Sequence, residues 1–559
     1  MDRSIIVGFH NRARAAALVA FLASLGLLLG SSLAQAGWQL PATALSEPGD
    51  KALSPDVAID PTGRTTVVWY GGPEGALAIR AATRPAGSKT FSDPVEISTP
   101  GPILGEVGID VEAQAGGRTV VTWEEGGLVW ASSRPAGSNA FSEPEQISLP
   151  PGLSTFPQIA FHPQFGALIA WQKEVVADDY VIQFSRETAP GSNQFTAPID
   201  LSADGEIAAG ADLAVGPDGQ TTVVWYRDDG TGEFVAQAAT STSNLSSFSS
   251  PLNLSSGSAN VVMPPRVTTG SDGVTTVVWN DASSSKTVIQ SRTRAEGSAF
   301  FSPVVNISEG PDGSVSYTNT EIGTAPSGDT SVVWAEAPPG VLISTRPARG
   351  ALPFSNPLNL ATLGDPSGVG YFPRLAIGPS GERTVIWRSN NDFNSSVVRT
   401  SSVSSTGGLT QASAPKDISD PASFASEIAA GPNGLVTAVW LRKIGPSGAD
   451  SVVEQATRMR VPKLKQPVVK GPGKAKRNRK ATFKVTIRNI GDGTVTGLRI
   501  GARGKGVKAS KKAGSLAAGK SKTVKVPLKF TKKGRVKVTF TVASKNAGKK
   551  EKKKTVTVK

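Results

Sequence analysis

One phrase returns along the whole chain. DPTGRTTVVW ends at Trp69, and close copies end at Trp225 (GPDGQTTVVW), Trp279 (GSDGVTTVVW) and Trp387 (GPSGERTVIW). With Trp123, Trp171, Trp334 and Trp440 the series has eight members, spaced by 54, 48, 54, 54, 55, 53 and 53 residues. Only Trp38 and Trp130 fall outside it. A period this regular means an array in which each unit buries its apolar face against its neighbours.

Within each unit the parts recur in order. A short alternating stretch comes first: DVAID (Asp56 to Asp60), DLAVG (Asp212 to Gly216), RLAIG (Arg374 to Gly378). PTG, PDG, PSG or PNG follows, where proline presets one corner of a turn and glycine accepts the left-handed one. Next come a β-branched strand ending in tryptophan and, after a polar loop, a third strand such as ALAIRAA or TVIQSRT. A PAGS-like loop then leads to a fourth segment such as FSDPVEIS. Four short strands in about fifty residues is the spacing of a propeller blade. The sequence therefore predicts an all-β chain with an eight-bladed β-propeller over residues 37–462, about 53 residues per repeat.

The fourth segment carries Phe-x-x-Pro at Phe91/Pro94, Phe141/Pro144, Phe195/Pro198, Phe248/Pro251, Phe300/Pro303 and Phe354/Pro357. The seventh unit keeps Pro415 without the phenylalanine, and the eighth stops after its third strand, SVVEQATRMR. The missing piece stands at the other end, where WQLPATALS offers Trp38 and Pro41 at the same spacing. The N-terminal strand is expected to complete the last blade and close the ring, removing open sheet edges. The chain has no cysteine, so closure must do what disulfides do elsewhere.

Charge divides the chain. From Lys463 to Lys559 there are 31 Lys and Arg against two acids; the first 36 residues carry +2, so the whole-chain +14 leaves −17 on residues 37–462. The start reads as a signal peptide, residues 1–36. Arg3, Arg12 and Arg14 precede the apolar run AAALVAFLASLGLLLG, and AQA supplies a small-residue cleavage site. Retention as an uncleaved anchor is the other reading. The apolar run is rather short for the ~20 residues that span a bilayer. A secreted, extracellular or cell-surface protein is expected, with no transmembrane helix after cleavage.

Residues 463–480 (KLKQPVVKGPGKAKRNRK) read as an exposed basic linker. Beyond it, ATFKVTIRN, TVTGLRIG, SKTVKVPLKF, GRVKVTFTVA and KTVTVK alternate apolar with Lys or Thr, the pattern of a half-buried antiparallel sheet. Residues 481–559 are expected to form a Lys-rich immunoglobulin-like sandwich. VTIRNIGDGTVTGLRI (Val485 to Ile500) and GSLAAGKSKTVKVPLKF (Gly514 to Phe530) resemble the CARDB-type, cell-adhesion-related modules of bacterial surface proteins. The resemblance implies a spacer or adhesion module at the cell surface and no activity. Nucleic acid is not the expected partner, because single-strand sites interleave basic residues with stacking aromatics. Phe483, Phe530 and Phe540 are the tail's aromatics, and all three fall in core-like strand patterns. An anionic envelope polymer or the acidic repeat itself fits the lysines better.

Chemistry is sparse. His10 lies in the signal and His162 is the other histidine, so thiol nucleophiles, His/Cys zinc sites and most Ser-His-Asp schemes are excluded. His162, in FHPQFG, holds the slot of Asp60 in IDPTG and reads as a turn residue. Neither an Asp box nor a calcium loop fits the repeated turn: Gly63 and Trp69 are six residues apart, and PTG, PSG and PNG carry no carboxylate. No cofactor or metal is expected. The loops joining second to third strands are acidic and vary between units. If they form a recognition face, its residues are Glu124, Glu125, Asp178, Asp179, Asp228, Asp229, Asp281 and Asp392, with Tyr70 and Tyr226 as aromatic platforms for a cation or cationic ligand; unconstrained hairpin loops would vary in the same way. The expected function is a non-catalytic binding or adhesion protein at the cell surface, its propeller taking an unidentified ligand or protein. The alternatives are a secreted carbohydrate-active enzyme of propeller fold, working through paired carboxylates, and a purely structural envelope protein.

Overall fold

A computed structural model describes residues 37–559, except 102–107, 178, 206, 257–259, 284–286, 309–319, 337–339, 349–352, 364–368, 391, 404–411, 446–449, 460–461, 492 and 518. The expected signal peptide and Asp178 lie outside the described residues. Two compact units emerge, residues 38–459 and residues 460–559. Among the described residues no helix is long and apolar enough to cross a membrane.

Among its described residues the repeat unit has eight four-stranded antiparallel sheets. In the first, the strands are Lys51–Ile59, Thr65–Gly72, Ala78–Arg84 and Val95–Glu96, paired in chain order. The turn between the first two is held by Asp60, whose Oδ1 accepts the amides of Thr62 (2.8 Å) and Arg64 (3.0 Å). Gly63 closes it at φ +92°, a left-handed conformation that an L side chain resists. Second strands read as continuous apolar runs because each lies between two neighbouring sheets; Thr65–Gly72 is buried throughout.

All eight tryptophans of the series are buried, and each packs on the sheet before its own. Trp123 meets Val68 and Ile79 of the first sheet. Trp225 meets Leu168 and Ile182 of the third, and Trp387 meets Val333 and Ile343 of the sixth. Trp69 of the first sheet meets Val439, Leu441 and Val453 of the eighth, so the series of sheets is closed. The fold is all-β and propeller-like.

Closure uses the N-terminal segment. The eighth sheet has Ser423–Ala430, Val436–Ile444 and Asp450–Arg458, and its fourth strand is Thr43–Ala44, paired to Gln455 and Glu454. Gln39 donates its amide to Thr457 O (2.7 Å), Leu45 to Val453 O (2.8 Å), and the Val453 amide donates to Ser46 Oγ (2.9 Å).

A second set of buried groups joins sheets at their outer ends. The Arg84 Nη2 donates to Thr65 of its own sheet (2.7 Å) and Thr437 of the eighth (3.1 Å). Arg134 bridges Thr119 and Thr66 in the same way, Arg294 bridges Thr275 and Thr222, and Arg346 bridges Thr330 and Thr276. Each guanidinium is covered by the aromatic ring of the fourth segment: Phe91 at 5.2 Å, Phe141 at 5.3 Å, Phe301 at 5.6 Å, Phe354 at 5.5 Å. Trp38 covers Arg458 at 5.9 Å, taking the phenylalanine's place in the eighth sheet. In the fifth unit this ring is Phe301 and not the expected Phe300, which is 81 % exposed. The spacing to proline is shortened there, so the residue preceding the strand serine, Ser302, is Phe301.

The second unit has a three-stranded sheet (Val468–Lys470, Lys480–Arg488, Ser521–Lys529) and a five-stranded one (Lys474–Ala475, Lys549–Val558, Gly534–Ala543, Val495–Gly504, Val507–Leu516). They share one core, with Phe483 packed against Phe530 (6.4 Å) and Phe540 (5.3 Å). The expected linker is corrected here. Leu464 is buried in this core, Val468–Lys470 pairs with Lys484–Thr486, and Lys474–Ala475 runs parallel to Thr557–Val558. Gly471, Pro472 and Gly473 mark the corner where the chain passes from one sheet to the other, which in sequence looks like a linker.

Candidate functional site

The loop carboxylates accept hydrogen bonds from the protein, three of them from within their own turns. Asp228 Oδ1 accepts the amides of Gly230 (2.8 Å) and Gly232 (3.2 Å), and Asp229 Oδ1 accepts the amide (2.9 Å) and hydroxyl (2.6 Å) of Thr231. Asp392 accepts from the Ser395 hydroxyl (2.6 Å) and the Asn394 amide (3.0 Å). Buried Asp281 accepts the amides of Asn260 and Ser283, and Asp179 Oδ2 that of Gly205. Glu125 accepts the Trp123 indole N–H (2.9 Å), and burial pushes the half-buried Glu124 carboxyl up to about 7. The bonds of Asp228, Asp229 and Asp392 are those that shape tight turns, whereas Asp281 and Asp179 also tie their loops to segments 21 and 26 residues away.

The aromatic platforms need correction. Tyr70 is only 4 % exposed and packs with Val68, Ile79 and Trp123 between the first and second sheets. Tyr226 is half-buried, edge-on to Phe234 (5.0 Å, 82°). A residue directly after the repeat's tryptophan points back into the gap between sheets, because neighbours on a strand face opposite sides. His162 Nδ1 accepts the amides of Gln164 (3.0 Å) and Phe165 (3.2 Å), while Nε2 faces Ser243 O (3.0 Å). Burial lowers its pKa, and it serves the turn as Asp60 does.

The residues that do converge were not among the expected ones. Consecutive first strands touch around the unit, and the last touches the first. At one register position, facing the residue just before each tryptophan, these strands place Asp56, Asp110, Gln158, Asp212, Arg266, Glu321, Arg374 and Glu427. All eight are half-exposed. The next residue is aliphatic every time, from Val57 to Ile428. A bulge precedes the ring position in five sheets, and in four of them a non-glycine residue stands there at positive φ: Ser54, Phe156, Phe372 and Ala425. Bulges re-aim the side chain that follows.

Each aspartate of this inner ring reaches the next first strand. Asp56 Oδ2 accepts the Val111 amide (2.8 Å), Asp110 Oδ2 the Ile159 amide (2.7 Å) and Asp212 Oδ2 the Val267 amide (2.9 Å). Arg374 links Glu427 (2.6 Å) and Glu321 (3.3 Å). Burial pushes the Asp110 carboxyl up to about 6, while Glu112, two residues on along the same strand face, is exposed. Asp56, Asp212 and Glu427 are raised too, first by loss of water and then, for Asp56, by its neighbours Asp110 and Glu427. Arg374 is held more basic than usual: the attraction of Glu427 and Glu321 outweighs its own burial. The signal was present in DVAID, DLAVG and RLAIG, whose leading charged residues hold the same slot. Among the described residues no group of three His, Cys, Asp or Glu is placed to hold a metal ion.

The sequence model of the CARDB family matches residues 462–554. Residues 462–554 are a CARDB domain. No curated protein matches the chain. Among solved structures, the CARDB domain of a Pyrococcus furiosus protein, in complex with di-metal ions, is similar at 20% identity and TM-score 0.16, covering 18% of this chain and 96% of that one. The BP39L lectin from Burkholderia pseudomallei is similar at 15% identity and TM-score 0.47, covering 66% and 99%. An α-L-arabinanase from Penicillium chrysogenum follows at 12% and 0.34, covering 53% and 93%. No function passes to this chain from likenesses this distant.

Proposed function

We propose that this is a secreted, cell-surface binding protein without catalytic activity: an eight-bladed propeller closed by its N-terminal strand, carried by an immunoglobulin-like CARDB domain that attaches to an anionic envelope polymer. The observation that carries the reading is the outward face of the five-stranded sheet. Register sets Lys508, Arg503, Thr539 and Lys553 side by side and, beyond a row of Ser510, Gly501, Thr541 and Glu551, Lys512, Arg499, Ala543 and Lys549. Glu551 is the acid among them. The three-stranded sheet repeats the pattern with Lys470, Lys484 and Lys525. Cations in rows, exposed and fixed by strand spacing, suit a repeating polyanion, and their attraction is screened over ~8 Å at physiological salt.

The test is binding of residues 37–559 to isolated cell envelope across a salt series, beside the charge-reversed R499E/R503E/K508E/K512E protein and the repeat alone, residues 37–462. Binding that needs the CARDB domain, falls with salt and is lost on charge reversal supports the reading. Salt-insensitive binding by the repeat alone overturns the attachment role. A second reading, a carbohydrate-active enzyme, draws on Asp110 and Glu112, two carboxyls on the same face of one first strand. Turnover of a polysaccharide that disappears in both Asp110→Asn and Glu112→Gln would favour it.

A further inference from the structure

Arg388 follows Trp387 on the second strand of the seventh sheet and is 4 % exposed. Its Nε and Nη2 have no hydrogen-bond partner among the described residues. Arg134, Arg294 and Arg346 share the unpaired Nε, but they and Arg84 spend Nη2 on threonine hydroxyls, so it is the free Nη2 beside Nε that sets Arg388 apart. Nε–H and the neighbouring Nη2–H lie along one edge of the guanidinium, the side-on fork that matches the two oxygens of a carboxylate.

Aromatic rings hold the cation instead. Phe372 lies 5.0 Å from it and Phe393 4.4 Å. Phe393 belongs to the loop after the second strand, is 45 % exposed, and stands edge-on to Phe424 of the eighth sheet (5.5 Å, 78°). The Lys443 ammonium, also from the eighth sheet, lies 5.6 Å from the same ring. Phe372 is kept at φ +51° in the inner bulge, a conformation a bulky residue resists. The Asp392 carboxylate is near but committed to Ser395 and Asn394. A buried charged group with unmade hydrogen bonds is costly, and together with a strained residue at its side it marks a place arranged for a ligand.

We infer that Arg388 anchors a ligand site between the seventh and eighth sheets for a carboxylate borne on a flat apolar or ring-shaped body, entered by displacement of Phe393. The carboxylate takes the Nε/Nη2 fork, Lys443 adds a second positive charge at the mouth, and Phe372 and Phe424 offer ring faces to the ligand body. The site lies within the repeat and does not use the charged residues of the inner ring.

The probe is benzoate, with the neutral, isosteric benzamide as control, titrated into the full chain by calorimetry and followed by saturation-transfer NMR. Benzoate should bind saturably, with benzamide weaker by roughly ten- to hundredfold, the difference a charge-assisted fork confers. Arg388→Met should lose benzoate binding while its thermal midpoint stays unchanged or rises, since an unpaired buried charge is removed. Phe393→Ala, which lifts the cover, should bind at least as tightly as the native chain. Equal binding of benzoate and benzamide, benzoate binding retained by Arg388→Met, a marked fall in that variant's midpoint, or no binding by either the native chain or Phe393→Ala would each overturn the inference.

Discussion

Arginine is used in opposite ways in the two units. In the repeat, Arg84, Arg134, Arg294 and Arg346 are buried at the seams, paired to threonines of two sheets and capped by an aromatic ring; burial lowers Arg84 and Arg134 to about 10. In the CARDB domain, Arg499, Arg503 and Arg535 stand exposed on a sheet face. These four guanidiniums are satisfied by their surroundings, so they fix the sheets around them and are unavailable to a partner, and unpaired Arg388 is the exception. An exposed one adds little to stability and remains free to meet an external anion. The repeat thus holds its charge inward and the CARDB domain turns it outward, although the repeat is the acidic unit and the other the basic one.

Four experiments would break or sharpen this contrast. The largest effect is expected from deleting residues 37–46, which removes the fourth strand of the eighth sheet and the Trp38 cover on Arg458. The repeat's cooperative melting midpoint should fall by many degrees in calorimetry while the CARDB transition stays; an unchanged repeat midpoint would mean that the ring does not depend on its closing strand. Trp225→Ala should cost the repeat about 3–5 kcal/mol in denaturant unfolding, the range for emptying a large aromatic site in a packed core. Arg134→Met leaves the hydroxyls of Thr66, Thr83 and Thr119 without their donor and should cost about 1–3 kcal/mol. The matching surface change Arg503→Met should stay within about 0.5 kcal/mol, and equal losses in the two units would erase the distinction.

The last test concerns pH. Asp110 titrates higher in the folded ring, at about 6, than in an unfolded chain, because burial disfavours its charged form, so the folded state holds a proton the unfolded state releases. Stability of the repeat should therefore be highest at and below about pH 4 and decline as pH rises through about 6, levelling above. Asp110→Asn should flatten that decline, read as thermal midpoint against pH.

Much of the fold was legible because it is written in repeated local rules. The Trp69 to Trp440 series, the turn glycines and, in all units but the seventh, the Phe or Trp38 before a proline are short-range patterns, and repeating them makes them visible. The slot of His162 and the core positions of Phe483, Phe530 and Phe540 could be read for the same reason. The site was read less well. Loop acids such as Asp228 and Asp392 attract notice as charged and variable, yet each is bound within four residues of itself. Tyr70 looked available because Gly71, Gly72 and Pro73 follow it; Gly71 and Gly72 still belong to the strand, and the ring packs among Val68, Ile79 and Trp123.

Sequence by itself determined the strand order of each sheet, the sheet-to-sheet packing through tryptophan, and the closing role of the first residues. These follow from periodicity and from the need to bury apolar faces and sheet edges. Tertiary structure alone decided that Asp56, Asp110, Asp212, Arg266, Glu321, Arg374 and Glu427, roughly fifty residues apart in the chain, meet as one ring, and that Arg388 lies under two phenylalanines with its fork unfilled. Electrostatic environment depends on which groups are near in space and how much water is left between them. Neither quantity exists until the sheets are set side by side.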